Sequence, residues 1–242
     1  MNAELRCLTV HVDTGRWSGT VLDAVDLTVP AGRVTAVLGG PGAGKSMIAR
    51  ALAGQLPNTA RCSGQVLVGG VVLGDQQCPR SRESVGYVPQ DGVTAFEPEG
   101  TVGAQLRAQQ IQHGAWSVER ACAAAQYPAE ALGLLPRQNS GGQIQRAALA
   151  SALLAEPDVL VADGPTDSLD TGTAYQVWKS LRDYADSGAA VLVISNDIKM
   201  MITYGFADRM VMMHDGHVLS AGPTSSLLDS DPYVQALFRA SH

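Results

Sequence analysis

The stretch GGPGAGKS at 39–46 is the one whose residue types and spacing dictate a chemistry. Gly39, four residues, then Gly44-Lys45-Ser46 is the pattern of a loop that wraps a polyphosphate. Gly39, Gly40, Gly42 and Gly44, with Pro41 and Ala43 between them, allow the backbone to curl until its N–H groups face an anion. Lys45 is placed to reach β- and γ-phosphates, and the Ser46 hydroxyl to ligate Mg²⁺. A second candidate is Asp163, which ends the apolar run Val159 to Ala162. An acid there can cap a helix or hold a metal; with the phosphate loop upstream, the metal role is favoured. A third is Ser140-Gly141-Gly142-Gln143, which in an arbitrary protein would be a turn and a helix cap.

These residues need elements to position them. The apolar run Val34 to Leu38 predicts a strand entering the loop, and Met47 to Ala53 a helix leaving it and stopping at Gly54. Residues 5 to 38 alternate apolar and polar positions between turn signals, which predicts three strands. Val66 to Val68 and Val71 to Leu73, with Gly69-Gly70 between them, predict a hairpin, and Ser84 to Val88 a short strand. From about Asp91 to Gln138 alanine and glutamine replace valine, and helices are predicted around Thr101 to Gln112 and Ser117 to Gln126. A helix Ile144 to Ala155, a strand ending at Asp163, a helix Thr173 to Ala185, a strand Ala189 to Ile194 and short elements around Arg209 to Leu219 complete an α/β pattern. Val159 to Ala162 lacks alternation, as suits a parallel strand covered on both faces. Ligands in such sheets lie beyond the carboxyl ends of the strands, where Gly39, Asp163 and Ser195 fall.

Composition narrows the function. The 242 residues are 45% hydrophobic and 17% charged, which describes a folded chain, one large domain or a domain with an insertion. A net charge of −6 and the lack of any basic run argue against a nucleic-acid surface. The N-terminus carries Glu4 and Arg6 with no apolar segment behind them, unlike a secretory signal. Apolar stretches such as Ala147 to Ala155 are about half a membrane span. A cytoplasmic location is expected unless a partner holds the chain at a membrane. Cys7, Cys62, Cys78 and Cys122 lack paired spacing and read as free thiols.

Five segments in order give the chain a resemblance to the ATP-binding subunit of an ABC transporter: GGPGAGKS, YVPQ ending at Gln90, NSGGQIQRAALASALL from Asn139, VLVADGPTDSLD at 159–170 and VLVISND at 191–197. The resemblance implies an α/β fold, an ABC-type nucleotide-binding domain with a P-loop RecA-like core, an antiparallel β subdomain and a helical insertion. It implies one domain over 1–242, the core at about 1–90 and 156–242 and the helical signature subdomain at about 91–155. ATP and Mg²⁺ are the implied cofactors. Ser46, Gln90 and Asp163 would serve the metal, and Gln90 would also relay nucleotide state to the membrane subunits. Ser140, Gly141, Gly142 and Gln143 would clasp the ATP held by a partner's phosphate loop, and Ser168-Leu169-Asp170 would lie along the dimer interface.

Two departures stand out. The family glutamate that polarises the attacking water aligns with Gly164, and the switch histidine with Asn196. Glycine has no side chain to orient water, and asparagine can donate a hydrogen bond but carries no proton or charge. The resemblance therefore implies a chain that binds Mg-ATP at a degenerate site and pairs with a second, catalytic ATPase subunit. The aromatic expected against adenine is replaced by Val12, with Trp17 a weak substitute. GPTSSLLDSDPYVQALFRA near the C-terminus resembles the proline-tyrosine helix of dipeptide, oligopeptide and nickel importer ATPases. An importer of that type implies two membrane-spanning permease subunits, an extracytoplasmic substrate-binding protein and a place on the cytoplasmic face of the membrane. The rivals are a soluble ABC-type ATP switch in an enzyme complex and a phosphotransferase on the same loop.

Overall fold

The computed structural model describes residues 1–73, 84–167, 169–230 and 235. In chain order they form β1 (Ala3–Asp13), β2 (Ser18–Val29), β3 (Arg33–Gly39), α1 (Lys45–Leu52), β4 (Ala60–Val68), β5 (Val71–Val72) and β6 (Val85–Val88). There follow α2 (Val102–His113), α3 (Val118–Ala124), α4 (Gly141–Leu153), β7 (Val159–Asp163), α5 (Thr171–Asp186) and β8 (Ala190–Ile194). The last are α6 (Ile198–Thr203), β9 (Arg209–His214), β10 (His217–Pro223) and α7 (Thr224–Ser230).

Two sheets result. One has the order β2-β1-β4-β5, all antiparallel, and the other β10-β9-β3-β8-β7-β6, in which every pairing is parallel except that of β10 with β9. Strand β7 shows why its sequence lacks alternation. Leu160 and Ala162 face a core with Leu149, Trp178 and Leu181, while Val159 and Val161 face one with Leu5, Leu22, Ile48 and Leu52. Both faces are covered, so every position of the strand is apolar until Asp163.

Most predicted elements appear where the pattern put them, and three differences have physical causes. Helix α4 begins at Gly141, not Ile144, because the Ser140 side chain caps it and recruits both glycines into its first turn. Helices α6 and α7, of six and seven residues, are too short for a 3.6-residue period to show. Thr101 and Ser117 stand outside α2 and α3 as caps, their hydroxyls accepting from the amides of Ala104 and Arg120. The proline-tyrosine pair of the C-terminal segment and Ser168 lie outside the described residues, as does Cys78; Cys7, Cys62 and Cys122 form no disulfide among the described residues. Among the described residues, no helix is long and apolar enough to cross a membrane.

Candidate functional site

The sheet brings the carboxyl ends of β3, β7 and β8 together: Val37 and Asp163 both pair with Ile194. The phosphate loop leaves β3 at this edge and enters α1 through Gly44, whose φ of 94° is open to glycine and strained for other residues. A Cβ at Gly44 would also fall 2.7 Å from Leu22 Cδ2 and 2.8 Å from the Val21 carbonyl. Packing against β2 and the helix entry thus demand the same residue.

Lys45 Nζ donates to the carbonyls of Gly39 (2.6 Å) and Gly40 (2.9 Å), which fixes its amino group at the mouth of the loop. Burial lowers its pKa, opposed by the carboxylates of Asp167 and then Asp163. Ser46 Oγ donates to Asp163 Oδ1 at 3.0 Å, and the Tyr87 hydroxyl meets Asp163 Oδ2 at 3.5 Å. Asp163 is 4% exposed, and burial holds its carboxyl above the ordinary value, partly offset by the Ser46 hydrogen bond and the charge of Arg50. Asp163 therefore does not cap a helix. Asp170 does, accepting from the Thr173 amide at 3.0 Å and the Thr173 hydroxyl at 2.7 Å.

These residues suit a Mg-nucleotide. Ser46 and Asp163 offer hard oxygens 3.0 Å apart, which match the preference of Mg²⁺. The start of α1 carries no side-chain cap and offers a positive dipole end beside the Lys45 cation. The metal would polarise phosphate oxygens there; the chain's own groups would hold and orient the polyphosphate.

A cleft of about 520 Å³ opens from this corner, lined by Ser46, Tyr87, Gln90, Asp163 and Gly164 on one side and by Gly141 at the start of α4 on another. Gln90 lines this cleft, and its Nε2 donates to Asp167 Oδ2 at 3.0 Å. Asn196 lies at the same sheet edge, exposed, two residues past Ile194, and is not among the residues lining the cleft. Gln143 closes a reciprocal cap with Ser140: its amide donates to Ser140 Oγ at 3.2 Å, and its Oε1 accepts from the Ser140 amide at 2.9 Å. Val12 is buried in β1 and presents no face, whereas Trp17 is 55% exposed in the turn before β2.

Several contacts that shape the site carry no local signal in the sequence. Tyr127 OH donates to Asn139 Oδ1 (2.9 Å) or to the Ala131 carbonyl (2.8 Å), and Asn139 Nδ2 donates to the Leu135 carbonyl (2.9 Å). Asparagine at 139 thus anchors the segment before α4. Gln145, 5% exposed, donates to the Pro89 carbonyl at 2.9 Å and ties α4 to the residue before Gln90. Asp167 carried no signal, since a lone acid in a turn is commonplace.

Comparison with known proteins agrees with this geometry. Residues 22–167 match the family described as ABC transporter. A putative peptide import ATP-binding protein of Brucella ovis is 30% identical over 98% of this chain and 77% of its own length. An Fe(3+) ions import ATP-binding protein of Rhodococcus jostii is 34% identical over 87% of this chain and 60% of its own. The oligopeptide transport ATP-binding protein OppD of Mycobacterium bovis is 33% identical over 86% of this chain and 36% of its own. Among solved structures, a dimeric ATP-binding cassette in a post-hydrolysis state bound to ADP and Pi superimposes with a TM-score of 0.77 at 23% identity, covering 91% of this chain and 98% of that one. A bacterial Atm1-family exporter with ATP bound gives 0.80 at 22% identity, covering 99% of this chain and 42% of that one. With the family match spanning more than half of the chain and a relative 30% identical over nearly all of it, this chain belongs to the ABC transporter family as an ATP-binding domain.

Proposed function

We propose that this chain is the ATP-binding subunit of an ABC importer of the peptide, nickel or metal-chelate type. It holds Mg-ATP at its own phosphate loop, where hydrolysis is slow, and presents Ser140 to Gln143 to a catalytic partner subunit. The observation that carries the reading is the Ser46–Asp163 hydrogen bond at the N-terminus of α1, a metal-side pair retained while Gly164 and Asn196 stand where hydrolytic groups are expected. Binding and chemistry separate in such a site: Lys45, Ser46 and Asp163 supply ground-state affinity, and the altered positions would act only in the transition state.

The relatives named for peptide and Fe(3+) import support the importer class. Within it, the helices between residues 91 and 155 would face two membrane-spanning permease subunits, with Gln90 reporting nucleotide state to them, and a substrate-binding protein would deliver cargo from outside. The chain would then sit at the cytoplasmic face of the membrane. Purification of the native complex tests this. Integral membrane subunits and a second ATPase are expected to copurify; soluble enzyme subunits alone would overturn the importer in favour of a cytoplasmic ATP switch.

A further inference from the structure

Gly164 does more than lack a side chain. Its φ is +56°, its amide donates to the Ile194 carbonyl at 2.9 Å, and its own carbonyl accepts from the Asp167 amide at 3.3 Å. This turn folds Asp167 back over Gly164. A Cβ built at 164 would lie 2.6 Å from Asp167 Oδ2 and 3.0 Å from Gln90 Cγ. The Asp167 carboxylate therefore occupies the space into which a side chain at 164 would extend, and Gln90 holds it there through a 3.0 Å hydrogen bond.

Asp167 stands beside the cleft, against its lining residues Gly164 and Gln90, and the neighbouring described carboxylates are committed. Asp163 meets Ser46 with one oxygen and Tyr87 with the other. Asp91 caps the turn after Gln90 by accepting from the Val93 amide, and Asp170 caps α5. Asp167 is exposed, its carboxylate accepts from Gln90 Nε2, and its charge acts on Lys45 together with that of Asp163. Phosphoryl transfer to water needs a group that orients the nucleophile near the terminal phosphate.

We propose that Asp167 supplies the water-orienting carboxylate that position 164 lacks, with Gln90 as its positioning residue. This deepens, and rests on, the reading of the site as one that holds Mg-ATP. The carboxylate accepts a hydrogen bond from the attacking water. As the O–P bond forms and the bond from the terminal phosphorus to ADP breaks, ADP leaves with the electron pair, and the water's proton passes to Asp167 and on to solvent. The slow turnover of the site is thus the work of an aspartate reaching in from three residues downstream.

The test uses the full chain in excess over radiolabelled Mg-ATP, with binding, single-turnover phosphate release and melting temperature measured separately. Asp167→Asn should slow phosphate release by about 10²-fold and leave the Mg-ATP dissociation constant within about twofold. Gly164→Ala should lower the melting temperature more in the native background than in an Asp167→Ala background, because only the native background holds the clashing carboxylate. Unchanged phosphate release in Asp167→Asn, no release at all by a native chain that binds Mg-ATP, or equal melting losses in both backgrounds would each overturn the inference. A native chain that binds no Mg-ATP would instead remove the underlying reading, and the inference with it.

Discussion

Gln145 Nε2 donates to the Pro89 carbonyl at 2.9 Å, which joins the second turn of α4 to the residue immediately before Gln90. One hydrogen bond thus bridges the helix capped by Ser140 and the strand end that leads to Gln90. The contact is close-packed as well, since a Cβ at Gly92 would fall 2.9 Å from Gln145 Oε1. A buried side chain thus fixes the position of one segment relative to the other.

Gln145→Ala is expected to lower stability by about 1–2 kcal/mol, the loss of one buried hydrogen bond and some packing. In the proposed complex it should reduce transport more than Mg-ATP binding, because the phosphate loop makes no use of Gln145. Urea melts and equilibrium dialysis, with uptake assays on the reconstituted complex, measure all three. Equal losses of binding and transport would count against a coupling role.

Lys45→Ala and Asp163→Asn address the nucleotide itself. A ligand bound only by the folded state stabilises it by about 2.7 kcal/mol at one hundred times its dissociation constant. Saturating Mg-ATP should raise the melting temperature of the native chain and leave that of Lys45→Ala unmoved. Asp163→Asn should keep a shift with ATP plus EDTA but lose the added shift with Mg²⁺, since the amide offers a poorer oxygen to the metal. A full Mg-ATP shift in Lys45→Ala would remove the phosphate loop from the binding site.

Alkaline titration reports the anchor before α4. Burial pushes the Tyr127 hydroxyl from its ordinary 10.0 up to about 12, and the Cys122 thiol from 9.0 up to about 11. Both folded values lie above the unfolded ones, so the folded chain keeps its protons longer. Their contribution to stability is complete below the ordinary values and is lost as pH rises through the shifted ones. Stability should therefore fall between about pH 9 and 12. Tyr127→Phe should flatten the upper part of that slope, and at neutral pH should cost about 1 kcal/mol for the hydrogen bonding of Asn139 and Ala131. Urea melts across this range check both effects; a slope unchanged by the substitution would mean that Tyr127 titrates normally.

What the sequence made legible was local. GGPGAGKS, the strand before it and the helix after it lie within twenty residues, and their chemistry is written in residue type. Asp163 was readable because it breaks an apolar strand, and the antiparallel sheet because alternation and the Gly69-Gly70 turn are short-range signals. The contacts that tune the site are long-range. Gln145 with Pro89 and Gln90 with Asp167 are 56 and 77 residues apart, and no spacing rule announces them. Gly164 was legible as an absence. That another carboxylate stands in its space depends on a left-handed φ that sequence does not display.

Ser140 caps α4 and, in the proposed dimer, faces the partner's nucleotide, and a choice of substitutions separates the two roles. Its hydroxyl accepts from the Gln143 amide and caps α4, so Ser140→Ala is expected to cost about 1 kcal/mol whatever the residue does for nucleotide. Ser140→Arg would remove the cap and add bulk together. Ser140→Asp keeps an acceptor for the Gln143 amide and adds a negative charge beside a helix N-terminus, which favours the fold. The same charge would oppose the γ-phosphate that the partner's loop presents to this helix in the proposed dimer. Ser140→Asp should therefore melt no lower than the native chain and bind Mg-ATP at its own loop unchanged, while ATP turnover by the complex falls by about 10²-fold or more. Melting curves and binding isotherms on the isolated chain, set beside turnover by the purified complex, distinguish the outcomes. Retained turnover would mean that α4 does not complete a partner's site, and lost Mg-ATP binding by the isolated chain would place Ser140 at its own loop instead.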